Sequence, residues 1–529
     1  MTALTDQVDA LFAAWDRPDT PGCALGVIQD GRLVYARGYG LANLDYDLPI
    51  TPDSVFYIAS TSKQFVTASI LLLAQSGKIS LEDDVRTYVP ELPQYDASIT
   101  IRHLVHHTSG LRDYLTLMEL AGKSHEDYFD LGDAIELLAR QKALNFPPGE
   151  QFLYCNSGYA LLAEIVKRAS GQSLREFAQA QIFHPLGMHD THFDDDRKMV
   201  VKNRVVSYGP RAGNGFQRYL KNFDAVGSGG LLTTVKDLYL WDQNFYHHQV
   251  GGGDLVSHLL TRGRLNDGKT LAYAAGLEHG AYRGLETVSH AGEMLGFRTQ
   301  LLRFPTQRFS VICLANLETI NPTGLARQVA DIYLADAFTQ EKAAELKTIR
   351  LSENELSAFA GLYRNVSSGL FVELLVDKGH LIAQGFGLTV PLAPVSATRF
   401  RSSDVSVDLE ITFEQQARDA PPIMRVGLPD EEPAAFQPAE VVSLTTDELA
   451  AYAGDYYGDA LQVTYKLVLK DGKLYCRYRN APQDPLRAGP RDVLWLPQAT
   501  LEFVRDDQGT LSGLTLSADG ARNIRFVRK

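Results

Sequence analysis

Phe56–Lys78 reads FYIASTSKQFVTASILLLAQSGK, and the spacing of its apolar residues predicts a helix. Apolar Phe65, Ile70, Leu71 and Leu73 mark the helix, and Ser76-Gly77 supplies a stop. The helix is expected to begin near Ser60. Ser60 and Lys63 then stand at i and i+3 on one face, with Cβ atoms about 5–6 Å apart. A lysine held against a serine hydroxyl can act as its base when burial lowers the amine pKa. The positive end of the helix also favours an oxyanion forming beside Ser60. By itself S-x-x-K is equally met by a serine that only caps a helix, so the rest of the chain has to decide.

On the N-terminal side, CALGVIQ and RLVYARGYG (Cys23–Gly40) flank Asp30-Gly31, a dipeptide that tolerates the positive φ values of a type I′ turn. This predicts a hairpin. A second antiparallel pair is expected at Phe297–Pro305 and Arg308–Leu317, preceded by a strand over Leu285–Ser289. Between the two pairs, Asp133–Leu144 and Tyr159–Ser170 carry helical periodicity, with Pro147-Pro148-Gly149 as a loop. The economical arrangement is one antiparallel sheet built from both ends of residues 1–340, with flanking helices and an all-α insert.

Beyond residue 340 the sequence turns to short β-like runs, and it repeats. LSENELSAFAGLYRN from Leu351 and LTTDELAAYAGDYYG from Leu444 are 93 residues apart, and that offset also aligns Gly361 with Gly454, Tyr363 with Tyr456 and Gly379 with Gly472. Two related antiparallel β-barrels are expected, over residues 341–440 and 441–529; two copies are too few for a solenoid. The fold class is thus α+β and multidomain.

Composition narrows the function. The 529 residues are 45% hydrophobic and 22% charged, as in a water-soluble globular protein. A net charge of −13 argues against sequence-independent binding to nucleic acid or to an anionic membrane. The four cysteines, Cys23, Cys155, Cys313 and Cys476, are too few for a disulfide scaffold and too far apart for a C-x-x-C metal site. MTALTDQVDALFAAWDRPDTPG has no basic start followed by an apolar core, and no apolar run approaches the eighteen or so residues of a bilayer span. A cytoplasmic enzyme is the expectation. It would act on a small molecule or short peptide, and the sequence leaves room for a homodimer.

Two eye-catching motifs carry little. Gly263–Thr270 (GRLNDGKT) matches the phosphate-loop pattern, but that loop works only between a buried parallel strand and a helix, and Asn266-Asp267-Gly268 reads as a hairpin turn. His103, His106 and His107 have no carboxylate or cysteine at metal spacing, so packing roles are expected and no metal. No G-x-S-x-G elbow occurs.

Two other segments do bear on Ser60. Tyr154 and Asn156 follow the Pro-Gly loop and precede a helix, so both can face one cleft. Tyr154 could then shuttle a proton and Asn156 could hold a substrate carbonyl. His290-Ala291-Gly292 ends the strand predicted over Leu285–Ser289, where Gly292 would let a substrate approach closely and His290 would offer a donor.

S-x-x-K, Y-x-N and H-x-G in this order resemble the penicillin-recognising serine hydrolases, which include class C β-lactamases, D,D-carboxypeptidases, D-aminopeptidases and esterases. The likeness extends to ITIRHLVHHTSGL (Ile99–Leu111), FPPGEQFLYCNSGYALLAEIV and VGSGGLLTTVKDLYLW (Val226–Trp241). The resemblance implies an acyl-enzyme on Ser60, with Lys63 as base or relay and Tyr154 in proton transfer. It implies substrate binding by Asn156 and by the strand of His290 and Gly292, and an oxyanion hole from the backbone N–H groups of Ser60 and Glu293. Which of Lys63 and Tyr154 takes the first proton stays open. No cofactor or metal is implied.

His290 stands where many β-lactamases carry lysine, which favours substrates without a free carboxylate beside the scissile bond, although some D,D-carboxypeptidases share H-x-G. Two C-terminal barrels resemble the D-aminopeptidases in architecture. There a loop of the last barrel reaches the active site; the matching segment here is residues 479–485, with Asp484 placed to pair with a substrate ammonium. The alternative is a carboxylesterase with weak β-lactamase action, or a D,D-carboxypeptidase.

Overall fold

The structure, a computed structural model, describes residues 3–124, 126–339, 348–403, 409–415, 422–427, 433–478 and 484–529. The chain divides into two compact units. One comprises Met1–Leu111, Ser124–Ala139 and Phe146–Lys342, the other Arg112–Lys123, Arg140–Asn145 and Ala343–Lys529.

The first unit is organised on a six-stranded antiparallel sheet. Strands β1 (Cys23–Gln29) and β2 (Arg32–Tyr39) form the hairpin, and Asp30 and Gly31 turn it at φ +50° and +78°, as a type I′ turn demands. From the C-terminal side come β3 (Glu278–Tyr282), β4 (Leu285–Met294), β5 (Phe297–Phe304) and β6 (Phe309–Ala315). The order β3-β4-β5-β6-β1-β2 brings both ends of the unit together, with Cys23 opposite Ala315.

Strands β1 and β6 are near-continuous apolar runs buried on both faces, which is why they sit centrally. Helices α1 (Leu4–Phe12) and, at the end of the unit, Pro322–Tyr333 pack on one face; Val8, Phe12, Val311, Leu325 and Val329 share a core there. Each such side chain contributes about 1.5–3 kcal/mol on full burial. On the other face lies Val235–His247, so close that a Cβ on Gly26 would sit 2.5 Å from Val235 Cγ1.

Four elements around the site differ from their sequence-based bounds. Strand β4 continues to Met294, so His290-Ala291-Gly292 lies inside a strand rather than at its end. Helix α2 covers Lys63–Gln75, and Ser60 belongs to a separate 3₁₀ turn, Ala59–Ser62. Three residues per turn still stack Ser60 beneath Lys63. Helix α3 (Leu131–Ala139) stops before residue 140, and α4 (Asn156–Ser170) starts at Asn156, earlier than the apolar periodicity shows, because Asn156, Ser157 and Gly158 are polar or small. Gly263–Thr270 is a short turn bridged by Arg264 and Thr270, with Gly268 at φ +90°.

The second unit contains the two repeated modules. In the first, eight strands from Gly361–Asn365 to Ala434–Pro438 pair in sequence order, and the last returns to the first, closing a barrel. Leu374, Leu381, Phe400, Met424 and Phe436 fill it. The second is an eight-stranded antiparallel sheet with Lys473–Arg477 and Arg487–Ala488 at its ends. A closed barrel was expected; among the described residues these ends share no ladder, only the single bridge Tyr475–Pro485. Pro485 has no N–H to give to one.

The repeat is exact in its locks. Ser352 with Glu355 and Thr445 with Glu448 form capping boxes. Tyr363 Oη donates to Phe359 O at 3.0 Å and Tyr456 Oη to Tyr452 O at 2.9 Å. The last hairpin of this unit is held by its short upstream segments: Asp113 N donates to Gly520 O at 2.8 Å, Thr116 Oγ1 to Asp519 O at 2.8 Å, and Arg522 N to Asn145 Oδ1 at 2.8 Å.

Candidate active site

The 3₁₀ turn that carries Ser60 is strained and tightly held. Ala59, just before the serine, has φ +46°, a conformation an alanine adopts at a cost of about 1–3 kcal/mol. Its surroundings leave little choice. Ile58 N donates to Leu231 O at 3.0 Å, Thr299 Oγ1 donates to Ile58 O at 3.0 Å, and Ser62 Oγ bridges from Ala59 O at 2.5 Å to the N–H of Leu231 at 3.1 Å. Thr61 Oγ1 reaches His290 O at 3.3 Å and so ties the turn to β4.

Lys63 is buried, and its Nζ lies 2.9 Å from Ser60 Oγ, 3.1 Å from Asn156 Oδ1 and 2.6 Å from Ser228 O. The rings of Tyr154 and Tyr159 lie beside it, their centroids 4.7 and 5.4 Å from Nζ. Ser60, Lys63, Tyr154 and Asn156 are thus brought together. Ser228 had no assigned role from sequence because its backbone carbonyl, not its side chain, makes the contact. The signal was the glycine run around it: Gly227 and Gly230 sit at φ +110° and +100°, and a Cβ on Gly227 would lie 2.3 Å from Tyr159 O.

His290 lies on the inward face of β4, 6.3 Å from Tyr154 between ring centroids. It was expected to offer a donor to substrate. Instead its Nδ1–H donates to Ala291 O at 2.6 Å, and its Nε2 accepts from Tyr273 Oη at 3.0 Å. Burial, with Lys63 nearby, pushes its pKa down to about 3, so the ring is neutral. Gly292 was expected to admit a substrate. What approaches it is the serine turn: a Cβ there would lie 2.2 Å from Ile58 O and 2.5 Å from Thr299 Oγ1. Glu293, opposite Arg298 at the end of β4, has an exposed carboxylate 3.8 Å from that arginine.

The three clustered histidines each have a structural partner. His103 completes a capping box with Thr100, and His106 Nδ1 lies 3.2 Å from Ala274 O. His107 Nδ1 accepts the N–H of Cys155 at 3.0 Å. Among the described residues no group of His, Cys, Asp and Glu could hold a metal ion, and no helix is long and apolar enough to cross a membrane. Residues 479–483 of the loop expected to reach the cleft lie outside the described residues.

A serine-bearing turn fixed between a strand and a buried lysine invites comparison with known hydrolases. The family model described as "Beta-lactamase" matches residues 8–335. The chain belongs to the beta-lactamase family. Beyond that domain, a D-aminopeptidase of Brucella anthropi is 26% identical over 530 residues, covering 96% of this chain and 95% of the relative. Penicillin-binding protein 4* of Bacillus subtilis (strain 168) is 28% identical over 408 residues, 74% of this chain and 89% of its own. Among solved structures, the D-amino acid amidase from Ochrobactrum anthropi SV3 complexed with L-phenylalanine amide has a TM-score of 0.55 at 19% identity, over 64% of this chain and all of that one. As a member of the beta-lactamase family with these relatives, the chain is a serine hydrolase built on the β-lactamase-like fold, extended by two β-rich modules.

Proposed function

We propose that this serine hydrolase is of D-aminopeptidase type and acts through an acyl-enzyme on Ser60, with short peptides or amino-acid amides as substrates. The observation that carries the reading is the 2.9 Å contact between Lys63 Nζ and Ser60 Oγ, made while Asn156 and Ser228 hold the same nitrogen. In the acylation step Ser60 Oγ gives its proton to Lys63 as the neutral amine, or to Tyr154 as the phenolate, as the O–C bond forms. The departing amine takes a proton back as the C–N bond breaks, with Tyr154 as its donor. Water then splits the Ser60 ester. The backbone N–H groups of Ser60 and Glu293 are the proposed oxyanion donors, each worth about 2.7–4 kcal/mol on removal in comparable sites. Asn156, through its amide nitrogen, is the proposed anchor for the substrate carbonyl.

The neutral state of His290 supports amides and peptides over carboxypeptidase substrates, because the ring at position 290 carries no charge to draw a substrate carboxylate. The same neutrality favours a second reading, a carboxylesterase. A cytoplasmic setting is part of the proposal, supported by four buried free thiols, and a homodimer remains compatible with it. Turnover of D-alanine p-nitroanilide, its L-isomer, short p-nitrophenyl esters and nitrocefin separates the readings. Preferential cleavage of the D-anilide is expected. Fast ester cleavage with negligible anilide turnover would replace the aminopeptidase reading by the esterase one.

A further inference from the structure

We propose that His107 is a positioning residue for Tyr154, holding the phenol in place through the backbone of the Tyr154–Asn156 turn. The inference rests on the proton-transfer role proposed above for Tyr154. It starts from two hydrogen bonds made by one residue. His107 O accepts the N–H of Leu153 at 3.0 Å, and His107 Nδ1 accepts the N–H of Cys155 at 3.0 Å. With its backbone left-handed at φ +58°, His107 presents both its carbonyl and its ring to the two residues flanking Tyr154.

The ring also packs on the phenol itself. Its centroid lies 4.3 Å from that of Tyr154 at an interplanar angle of 32°, with Tyr273 against it at 4.6 Å and 68°. Tyr154 therefore lies against both the His107 imidazole and Lys63 Nζ. The neighbouring chain continues the clamp: Gly149 N donates to Thr108 O at 2.8 Å, and Cys155 Sγ to Leu111 O at 3.3 Å.

Neither a simple aromatic nor a simple polar residue meets this set of demands. The position needs a flat ring to face Tyr154 and an acceptor at the δ position for Cys155. It also needs no charge, since Lys63 is close; burial together with Lys63 and His290 drives the imidazole well to the neutral side. With Nδ1 accepting, the proton sits on Nε2, which is buried with no hydrogen-bond partner among the described residues. The ring is thus kept for its Nδ1 and its face, while its remaining polar atom is left unpaired.

The test is a double-mutant cycle on whichever chromogenic amide or ester the wild type turns over fastest. A slip of about 1 Å at a reacting group can cost about 100-fold, so His107→Phe, which keeps the ring and removes the acceptor, is expected to lower kcat about 10–100-fold with KM changed less than about threefold. His107→Asn, whose Oδ1 lies near the position of Nδ1, is expected to recover at least half of that loss on a logarithmic scale. In a Tyr154→Phe background, His107→Phe is expected to add less than about threefold, because the group it positions is gone. If His107→Phe costs the same factor in both backgrounds, or if His107→Asn is as impaired as His107→Phe, the positioning role is overturned while that of Tyr154 stands. If Tyr154→Phe alone runs at the wild-type rate, the role of Tyr154 falls first, and this inference with it.

Discussion

The two sides of the serine site, the Lys63 side and the His290 strand, handle charge in opposite ways. On the serine side, Lys63 is buried with its Nζ among Ser60 Oγ, Asn156 Oδ1 and Ser228 O, and two phenol rings lie beside it. On the strand side, His290 is equally buried, but it is wired as a neutral donor–acceptor between Ala291 O and Tyr273 Oη. One side gathers polar partners around an amine, and the other keeps its ring neutral. Buried polar groups need matched partners, and a cation at position 290 would raise the cost of charging Lys63. In the proposed mechanism the proton transfers therefore fall on the serine side.

Removing the proposed nucleophile gives the largest expected effect. Ser60→Ala should lower kcat by about four orders of magnitude or more, and mass spectrometry of the wild type mixed with a slowly released acyl donor should show the adduct that the variant lacks. An S60A protein that still hydrolyses at the wild-type rate would overturn the role of that side entirely. Next, His290→Lys should redirect specificity. A charged hydrogen bond is worth about 1.5–3 kcal/mol, so kcat/KM for substrates with a free carboxylate should rise about tenfold or more relative to amides. An unchanged ratio would mean that substrate does not meet this side.

The neutral histidines also set a pH dependence of stability. His290 is held down to about 3 and His106 to about 4, against 6.5 in the unfolded chain, in both cases mainly by burial. Below 6.5 the unfolded chain takes up protons that the folded one refuses. Their stabilising contribution is therefore complete above that value and is lost as pH falls, by up to about 1.4 kcal/mol per pH unit for each ring. Urea unfolding at pH 7.5, 6.0 and 5.0 should show this fall, and His106→Gln should make it shallower. The smallest effect is at the turn itself. Ala59→Gly relieves a left-handed alanine and should stabilise the fold by up to about 1 kcal/mol, read as a small rise in Tm; a fall would mean that the alanine methyl packs better than its backbone strain costs.

Much of this arrangement was legible before any coordinates. Asp30-Gly31 announced its hairpin, the 93-residue offset announced two modules, and S-x-x-K placed Ser60 and Lys63 together whether the local period was 3 or 3.6. What escaped was information that lives in backbone rather than in side-chain identity. The Ser228 carbonyl, the left-handed Ala59 and the extension of β4 to Met294 have no residue-type signature of their own. Gly292 was noticed for the right reason, close approach, but the approaching group is the Ile58 carbonyl. From sequence His107 reads as a packing histidine, because its partner, the N–H of Cys155, has no residue-type signature.

The second compact unit is not contiguous in the chain, and this bears on how it can be handled. A gene fragment starting after residue 342 would encode both repeats yet omit Asp113, Thr116 and Asn145, which satisfy the backbone around Asp519, Gly520 and Arg522. Dissecting this protein by simple truncation would then yield a C-terminal piece with raw polar edges at its final hairpin, whereas point substitutions within the intact polypeptide leave that seam closed.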